Sequence, residues 1–471
     1  MDKEVLEPMF ENLFRTKPFT PNGNGNGEHH LHACLNALEL TLLGMGAIIG
    51  AGIFVLTGVA AATKAGPGIM ISYVMSGLAA LFAALSYAEL SASIGGCGSA
   101  YNYSYTGFGE IIAWIIGWDL ILEYMIGISA VAIGWSGYVS DALRSSNITI
   151  PASILKSPYE GGIMNLIAAA IILFIAFVLS IGVKHSSRFN AVIVLIKLSV
   201  ICAFIFIAAH HVQPHHWHPF LPFGWNGVMQ GAALVFFAYI GFDSVSTAAE
   251  EAKNPQRDLP IGILASLAIC TTLYLVVSAL LVGIVSYKSL NVSSPVANAL
   301  LQIGEPLAAG FIAVGAIAGL TSVMLVMYYG LSRVFLAISR DGLLPAFFAR
   351  LHPRTKTPVS IIFLCGIVMA LIAGFVPIKE AAELVNIGTL AAFALVCGGV
   401  IIIRFKHPDL HRPFKLPFFP LVPALGVFFC VYLMLQLPLH TWLRFGIWMA
   451  VGFVIYFMYG KRNSVLENKS D

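Results

Sequence analysis

Residues 44–54 read Gly-Met-Gly-Ala-Ile-Ile-Gly-Ala-Gly-Ile-Phe and lie within the first long apolar segment of the chain. Four glycines fall within nine consecutive positions, although each glycine in a helix interior costs up to about 1 kcal/mol. Glycine is also common where membrane helices pack closely, so a small-residue packing surface is one interpretation. The other is a helix break at residues 50–52, whose freed amides point into a cavity.

A second interruption occurs in the sixth apolar segment, where residues 236–243 read Phe-Phe-Ala-Tyr-Ile-Gly-Phe-Asp. Two interrupted segments five helices apart are typical of inverted-repeat transporters, in which half-helix ends meet at a substrate near the membrane midplane. Helix N-termini and free amides bind a carboxylate, and free carbonyls bind an ammonium group. The two breaks therefore fit a zwitterion such as an α-amino acid.

The composition indicates a membrane protein along the whole chain. Of its 471 residues, 58% are hydrophobic and 10% are charged, whereas soluble proteins carry about 25% charged residues. Apolar segments of about 18 residues or more recur, each long enough to cross about 30 Å of hydrocarbon. We count twelve, beginning near Leu38, Ile69, Ile111, Met164, Ala191, Val228, Ile261, Ala308, Val359, Ala382, Phe418 and Trp442. We therefore expect an all-α integral membrane protein with twelve transmembrane helices.

The charges predict the orientation and exclude several classes of partner. With both termini in the cytoplasm, most of the 26 lysines and arginines fall in cytoplasmic segments, as the positive-inside rule requires. The net charge of +3 follows from this topology and indicates no nucleic-acid partner. The seven cysteines form no C-x-x-C pair, and the histidines of residues 210–218 alternate with prolines and a tryptophan, so we predict no metal site. We expect a multi-pass protein of the plasma (inner) membrane.

Five motifs in order resemble those of one transporter family. They are the two interrupted stretches, residues 250–260 (Glu-Glu-Ala-Lys-Asn-Pro-Gln-Arg-Asp-Leu-Pro), residues 332–345 (Ser-Arg-Val-Phe-Leu-Ala-Ile-Ser-Arg-Asp-Gly-Leu-Leu-Pro) and residues 412–417 (Arg-Pro-Phe-Lys-Leu-Pro). The chain resembles amino acid/polyamine/organocation permeases, particularly bacterial members of the cationic amino acid transporter branch. One departure is Gly95-Gly96-Cys97, where the family usually has a proline before Gly-Ser-Ala-Tyr.

The resemblance implies a domain organisation. It predicts a leucine-transporter-like 5+5 inverted repeat with helices 1 and 6 broken, followed by two extra helices. The ten-helix transport core then occupies residues 31–405, and helices 11 and 12 lie within residues 406–460. Residues 1–30 and 461–471 are the cytoplasmic N-terminal and C-terminal tails.

The resemblance also assigns the substrate contacts. By motif, the amides near Ala51 and Gly52 would hold the substrate carboxylate, and Ile49 beside them is also assigned to the substrate site. The carbonyls of Phe237, Ala238 and Ile240 would hold its amino group, and Phe237 would cover the substrate as an aromatic gate. The alternative for Phe237 is a packing aromatic.

Lys197 is the clearest charge inside an apolar segment, the fifth. A charge at mid-helix costs about 2.5–3.5 kcal/mol, so we expect a function for it, with snorkelling to water as the alternative. In sodium-driven carriers of similar architecture, a cation lies between the first, fifth and eighth helices. By motif its ligands here would be the carbonyls of Gly46 and Ile49, with Thr321 and Ser322 contributing. Lys197 would replace the sodium ion and exchange a proton during transport, so we expect no sodium and no cofactor.

Four more side chains bear on substrate and coupling. Asp119 and Glu123 lie one helical turn apart; Glu123 borders the substrate cavity or moves protons, and Asp119 is equally a structural acceptor. Asp243 could link proton and gate, or cap the second half-helix. By the family pattern, Met327 lines the side-chain end of the pocket, which favours small neutral amino acids, whereas Glu123 favours cationic ones. Methionine as packing filler is the alternative.

These observations predict a proton-coupled symporter of small neutral amino acids such as alanine, working by alternating access. An exchanger of amino acids or polyamines is the main alternative, and a carrier of cationic amino acids (arginine, lysine) is another. A membrane-embedded enzyme is not indicated, because no ligand cluster or Ser-His pair occurs at membrane depth.

Overall fold

The computed structural model describes residues 12–17, 35–94, 100–145, 148, 150–182, 187–353 and 357–466. Within these ranges the regular secondary structure is helical, and the β contact is a single bridge between Leu35 and Ala252. The departure at residues 95–97 lies outside the described residues, as does most of the N-terminal tail predicted at residues 1–30.

The main helices are numbered here in chain order. They are α1 (Ala37–Ile48), α2 (52–65), α3 (Ile69–Ile94), α4 (Ala100–Gly107), α5 (Glu110–Ser145), α6 (Leu166–Ser180), α7 (Ser187–Ala209), α8 (Gly224–Val235), α9 (Pro255–Ile284), α10 (Pro295–Gln302), α11 (Pro306–Arg340), α12 (Val359–Phe375), α13 (Ile378–Lys406), α14 (Leu421–Leu435) and α15 (Leu439–Ile455). Helix α2 consists of three consecutive pieces, Gly52–Leu56, Thr57–Ala60 and Ala61–Ala65.

The helices of the described residues include eight stretches that are long and apolar enough to cross a membrane. They are Gly52–Ile94, Glu110–Arg144, Asn190–Ala209, Gly224–Ser246, Pro255–Ile284, Pro306–Arg340, Ile378–Lys406 and Leu439–Asn463. Four further apolar helices, α1, α6, α12 and α14, are shorter. The architecture is therefore all-helical and suited to several membrane crossings.

Local sequence signals explain where several helices begin. Asn36 and Glu39 form a capping box at the start of α1: the Asn36 side chain accepts from the Glu39 amide at 3.0 Å, and the Glu39 carboxylate accepts from the Asn36 amide at 2.9 Å. Pro255, Pro295 and Pro306 each occupy the first helical position, where the missing N–H costs nothing.

Helix α5 lies at the centre of the bundle. It packs against α11, α12 and α13, and most of its length is buried. Helix α15 is peripheral and exposes apolar side chains such as Leu443 and Ile447. This contrast fits a bundle whose outer helices face lipid and whose centre holds the polar groups.

The predicted boundary between the last helix and the C-terminal tail falls at residue 461, but helical structure continues to Asn463. The side-chain amide of Asn463 donates to the carbonyl of Tyr459 at 2.9 Å and stabilises this last turn. At the other predicted boundary, α13 ends at Lys406.

Candidate substrate and coupling site

The first helix break lies between α1 and α2. Helix α1 ends at Ile48, because the backbone of Ile49 is extended with φ −75° and ψ 96°, and helical structure resumes at Gly52. The amides of Ala51, Gly52 and Ile53 precede the first complete turn of α2, where a helix offers no acceptor of its own. The break therefore presents N–H donors at the residues predicted for the substrate carboxylate.

The second break follows α8. A single tight turn, Phe236–Tyr239, leads to Ile240, whose backbone is extended, and to Gly241, whose φ is +116°. Glycine alone adopts this φ without strain. A Cβ atom on Gly241 would also lie 2.9 Å from the carbonyl group of Ala47 in α1. Backbone conformation and close packing thus both require glycine here.

The two breaks are in direct contact. A Cβ atom on Gly52 would lie 2.3 Å from the Cα atom of Ala238, so only glycine allows this approach. The hydroxyl of Tyr274 in α9 lies 2.9 Å from the carbonyl oxygens of both Ile48 and Ala238. Because a hydroxyl has one proton, the two carbonyls share one donor. Tyr274 therefore links the breaks, although the sequence analysis did not single it out.

Asn386 in α13 is a second residue that the sequence analysis missed. Its side-chain amide donates to the carbonyls of Ala233 at 2.7 Å and Leu234 at 2.9 Å, at the end of α8. The last carbonyls of a helix lack partners in their own helix, so Asn386 stabilises the end of α8 just before the break. A buried asparagine within an apolar helix is the signal that could have indicated it.

A small cavity lies where the breaks meet. Its lining includes five residues predicted to bind substrate, namely Ala51, Gly52, Phe237, Ile240 and Met327. The remaining lining is formed by Ala47, Ile48, Gly50, Val131, Val323 and Val385. The space open to the centre of a water molecule is about 20 Å³, room for one or two waters. The cavity in this structure is therefore smaller than an amino acid.

Glu123 does not line this cavity, in contrast to one of its predicted roles. It precedes the lining residue Val131 by two turns of α5, a distance of about 12 Å along the helix. Ile49 also lies outside the lining, and its carbonyl faces Lys197 instead. Ala238 contacts Gly52 from the second break but is not among the lining residues.

Lys197 is fully buried in α7 and donates to the carbonyls of Gly46 at 2.8 Å and Ile49 at 3.0 Å. If α1 continued without a break, the Gly46 carbonyl would accept from the amide four residues later. The extended Ile49 prevents this, so the ammonium group binds carbonyls at the C-terminal end of α1, which carries partial negative charge. A Cβ atom on Gly319 would lie 3.1 Å from the lysine Cε atom, so α11 packs against the lysine stem.

The hydroxyls of Thr321 and Ser322 bond to residues other than Lys197, the partner that the sequence predicted. The Thr321 hydroxyl donates to the Ile317 carbonyl at 2.8 Å and accepts from the indole N–H of Trp135 at 2.9 Å. The Ser322 hydroxyl donates to the Gly319 carbonyl at 3.0 Å. Serine and threonine in helices often bond to the preceding turn, and this local bond competes with distant partners.

Asp119, Glu123 and Asp243 are all buried, and one carboxylate oxygen of each lacks a hydrogen-bond partner in the part of the chain that the structure describes. Asp119 lies against α13, where a Cβ atom on Gly388 would be 2.4 Å from its Oδ1 atom. The side chain of Asp243 makes no capping hydrogen bond to the following turn, Ser244–Thr247. Asp243 follows the second break, and Glu123 lies close enough to Asp243 and Asp119 for like-charge repulsion.

Comparison with known proteins identifies the family. Residues 35–458 match the sequence profile of the amino acid permease family. The chain belongs to this family. The match confirms the predicted resemblance, and because this family and its members are transporters, the permease is not an enzyme.

Individual relatives extend the comparison. The permease is 50% identical over 457 residues to the methylthioribose transporter of Bacillus subtilis, covering 97% of this chain and 99% of the relative. It is 49% identical over 447 residues to the branched-chain amino acid permease BcaP of the same organism, covering 94% and 96%. It is 38% identical over 391 residues to the vacuolar cationic amino acid transporter 4 of Arabidopsis thaliana, covering 82% and 65%.

Proposed function

We propose that the permease imports small neutral amino acids such as alanine together with protons, across the plasma (inner) membrane, with both termini in the cytoplasm. The observation that supports proton coupling is the buried ammonium group of Lys197 on the carbonyls of Gly46 and Ile49. The ammonium group supplies a positive charge at the helix break, which supports coupling to protons in preference to sodium. In this proposal the proton is the coupling ion.

The coupling step follows from what the lysine can donate. A charged Lys197 holds the end of α1 against α7 by two charge-assisted hydrogen bonds, which are roughly twice as strong as neutral ones. Loss of the proton removes the charge and one N–H donor, so α1 is held less tightly and can move relative to α7. Proton binding from outside and release to the cytoplasm would then favour opposite orientations of the site. Glu123 and Asp243 are further candidates to carry the proton.

Substrate binding follows from the two breaks. The amides of Ala51 and Gly52 would bind the carboxylate, and the carbonyls of Phe237, Ala238 and Ile240 would bind the ammonium group. The Phe237 carbonyl already accepts from the Ile240 amide at 3.3 Å and the Ala238 carbonyl from Tyr274, but a carbonyl has a second lone pair.

The substrate side chain would face an apolar surface. Val131, Val323 and Met327 line the cavity and offer no acceptor for a guanidinium group. Because the cavity is small, the substrate must displace side chains, and Met327 and Phe237 are the candidates. A flexible methionine changes shape at low cost.

The proposed architecture is twelve membrane-spanning segments, made of ten helices in a 5+5 inverted repeat and two further helices. Breaks in the first and sixth segments support this arrangement, since inverted-repeat carriers bind substrate at such breaks. Alternating access would then move one group of helices against the other around the site.

A second candidate substrate class is the branched-chain amino acids. Two relatives, one from Bacillus subtilis and one from Lactococcus lactis, are named branched-chain amino acid permeases, and the apolar cavity lining suits valine, leucine and isoleucine. Methylthioribose, named in a third relative, lacks the zwitterion that the two breaks would bind. Exchange without proton movement and transport of arginine or lysine are the remaining alternatives.

The test is uptake of radiolabelled alanine into proteoliposomes, with and without an inward proton gradient, by the wild type and by Lys197→Ala. We expect accumulation driven by the gradient in the wild type and its loss in the variant. Unlabelled valine, leucine, arginine and methylthioribose are then added as competitors, and we expect the neutral amino acids to compete and arginine to fail.

Two results would replace the proposal. Uptake that needs preloaded amino acid and ignores the proton gradient would make the permease an exchanger and Lys197 a structural contact. Competition by arginine stronger than by alanine or valine would assign a cationic substrate.

A further inference from the structure

A cleft of about 610 Å³ opens on the outside of the bundle, and it shares no lining residue with the cavity at the two helix breaks. It lies between the first turns of α9 and the segment that connects α13 to α14. Arg257, Ile261, Leu264 and Ala265 line it on the α9 side, and Pro413 and Phe414 on the other. The cleft thus contains part of the motif at residues 412–417. The proposed transport mechanism assigns no role to this motif.

On the α9 side of the cleft, a charged residue lies at the start of the helix and apolar residues follow it. Residues 261, 264 and 265 follow residue 257 by four, seven and eight positions, so all four lie on one face of the helix. Arg257 is exposed at the start of α9, and in the part of the chain that the structure describes its guanidinium has no hydrogen bond or ion pair. Ile261 is 41% exposed. From Arg257 to Ala265 the apolar surface extends about 12 Å along the helix.

The opposite wall is held rigidly in place. The Arg412 guanidinium donates to the carbonyls of His407 at 2.8 Å and Leu410 at 2.9 Å, which folds the connecting segment onto itself. The Leu416 amide donates to the carboxylate of the buried Glu89 at 2.8 Å and ties the segment to α3. Pro413 and Phe414 lie between these two anchor points, so the cleft is preformed.

The surroundings of the cleft indicate what it binds. Most of its lining is apolar, and its rim carries the exposed guanidinium of Arg257 at the end of the bundle where the positive-inside rule predicts the cytoplasm. Lys406 and Lys415, also exposed, add positive charge near the same end of the bundle. Anionic lipids are enriched in the cytoplasmic leaflet, and basic pockets between helices bind their headgroups.

We propose that this cleft binds one anionic phospholipid, with its phosphate on Arg257 and an acyl chain along Ile261, Leu264, Ala265 and Phe414. The guanidinium suits a phosphate because it donates two parallel hydrogen bonds. The apolar face suits an acyl chain that runs from the headgroup toward the bilayer centre. This lipid site is independent of the substrate and of the coupling ion.

Native mass spectrometry of the purified permease, titrated with phosphatidylglycerol or with phosphatidylcholine of the same chains, tests the site. We expect the wild type to retain phosphatidylglycerol preferentially. Arg257→Gln should weaken that binding about fivefold, the ratio equivalent to about 1 kcal/mol for one cation at a lipid headgroup. Arg462→Gln is the matched control: Arg462 is exposed and near the C-terminus, on the same predicted face, but does not line the cleft.

Ala265→Phe tests the apolar part of the cleft separately from the charged part. The larger side chain narrows the apolar part of the cleft and leaves Arg257 intact, so we expect weaker binding of phosphatidylglycerol without loss of charge. Gel filtration and thermal unfolding of each variant show that it is folded.

Three results would overturn the lipid site. Equal weakening by Arg257→Gln and Arg462→Gln would show diffuse surface charge in place of a site. Equal retention of phosphatidylcholine would show that the headgroup charge is irrelevant. Displacement of phosphatidylglycerol by millimolar inorganic phosphate or glycerol 3-phosphate, which have no acyl chains, would identify a site for a free phosphate.

Discussion

Lys197 and Glu89 are both buried charged side chains, but the molecule holds them in different ways. The Lys197 ammonium donates to two backbone carbonyls at the first helix break. The Glu89 carboxylate pairs with the guanidinium of Arg404 at 2.5 Å and lies 3.6 Å from that of Arg412, and it also accepts from a backbone amide. Backbone dipoles stabilise the charge of Lys197, whereas two arginines of opposite charge stabilise that of Glu89.

This difference indicates different functions. If Glu89 lost its charge, two arginines would remain without their partner, and an unpaired buried charge is costly. If Lys197 lost its proton, no opposite charge would be left unpaired, since carbonyls are neutral. The dipole-bound lysine is therefore suited to change its charge during transport, whereas the ion-paired glutamate is suited to hold helices together.

Lys197→Met separates function from stability and has the largest expected effect. Methionine keeps much of the volume and removes the charge, so we expect proton-driven uptake to fall at least about tenfold, which is 1.4 kcal/mol or more. The free energy of unfolding should fall by only about 1–2 kcal/mol, because the buried carbonyls of Gly46 and Ile49 lose their donor while the cost of burying the charge is removed. Uptake in proteoliposomes and unfolding in mixed micelles measure the two quantities.

Ser199→Ala, two residues along α7, is the control for this variant. Its hydroxyl is exposed and bonds to the preceding turn at Leu195, so both quantities should stay near the wild type. If Lys197→Met lost much of its stability but kept proton-driven uptake, Lys197 would have a structural role like that inferred for Glu89.

Glu89→Ala tests the other half of the comparison. Arg404 and Arg412 are 17% and 7% exposed and would lose their carboxylate, so we expect the free energy of unfolding to fall by about 3 kcal/mol. Glu305→Gln, at a carboxylate 43% exposed, should change it by less than about 0.5 kcal/mol. Equal effects of the two variants would show that the ion pairs at Glu89 contribute little.

Tyr274→Phe tests the link between the two breaks. The variant removes one hydroxyl shared by the carbonyls of Ile48 and Ala238, so we expect a loss of about 1 kcal/mol in stability. Because both carbonyls belong to the candidate site, substrate affinity should fall as well. Tyr432→Phe, where the ring stacks on Phe428 near the outer surface, should leave substrate affinity unchanged. If Tyr274→Phe left the substrate affinity unchanged, the hydroxyl that connects the two breaks would have no role in substrate binding.

The ion pair between Lys17 and Asp341 has the smallest expected effect. Its Nζ and Oδ2 atoms are 2.6 Å apart, but the side chains are 30% and 16% exposed. Exposed pairs contribute about 0.2–1 kcal/mol and are screened by salt. A double-mutant cycle with Lys17→Met and Asp341→Asn should give a coupling energy in that range at low salt and a smaller one in 1 M salt. If the coupling energy did not change with salt, the ion pair of Lys17 and Asp341 would behave like the buried ion pairs of Glu89.

Both helix breaks could be predicted from the sequence because their cause is local. Glycines at positions 50, 52 and 241 do not favour a continuous helix, and the structure breaks at both places. The contact between Lys197 and the Gly46 carbonyl was also predicted, through the family pattern. Thr321 and Ser322 were predicted as further partners of Lys197, but their hydroxyls donate to nearer carbonyls in their own helix.

The all-helical membrane architecture, the family and the positions of the breaks could all be predicted from the chain. Hydrophobic length, glycine placement and motif order are properties of the chain alone, so they need no folded structure. Which side chains contact one another became known from the folded structure. It placed Glu123 two turns away from the cavity, brought Tyr274 and Asn386 to the broken ends, and formed the cleft beside Arg257. These depend on the rotation and depth of each helix against its neighbours, and packing between distant segments sets both.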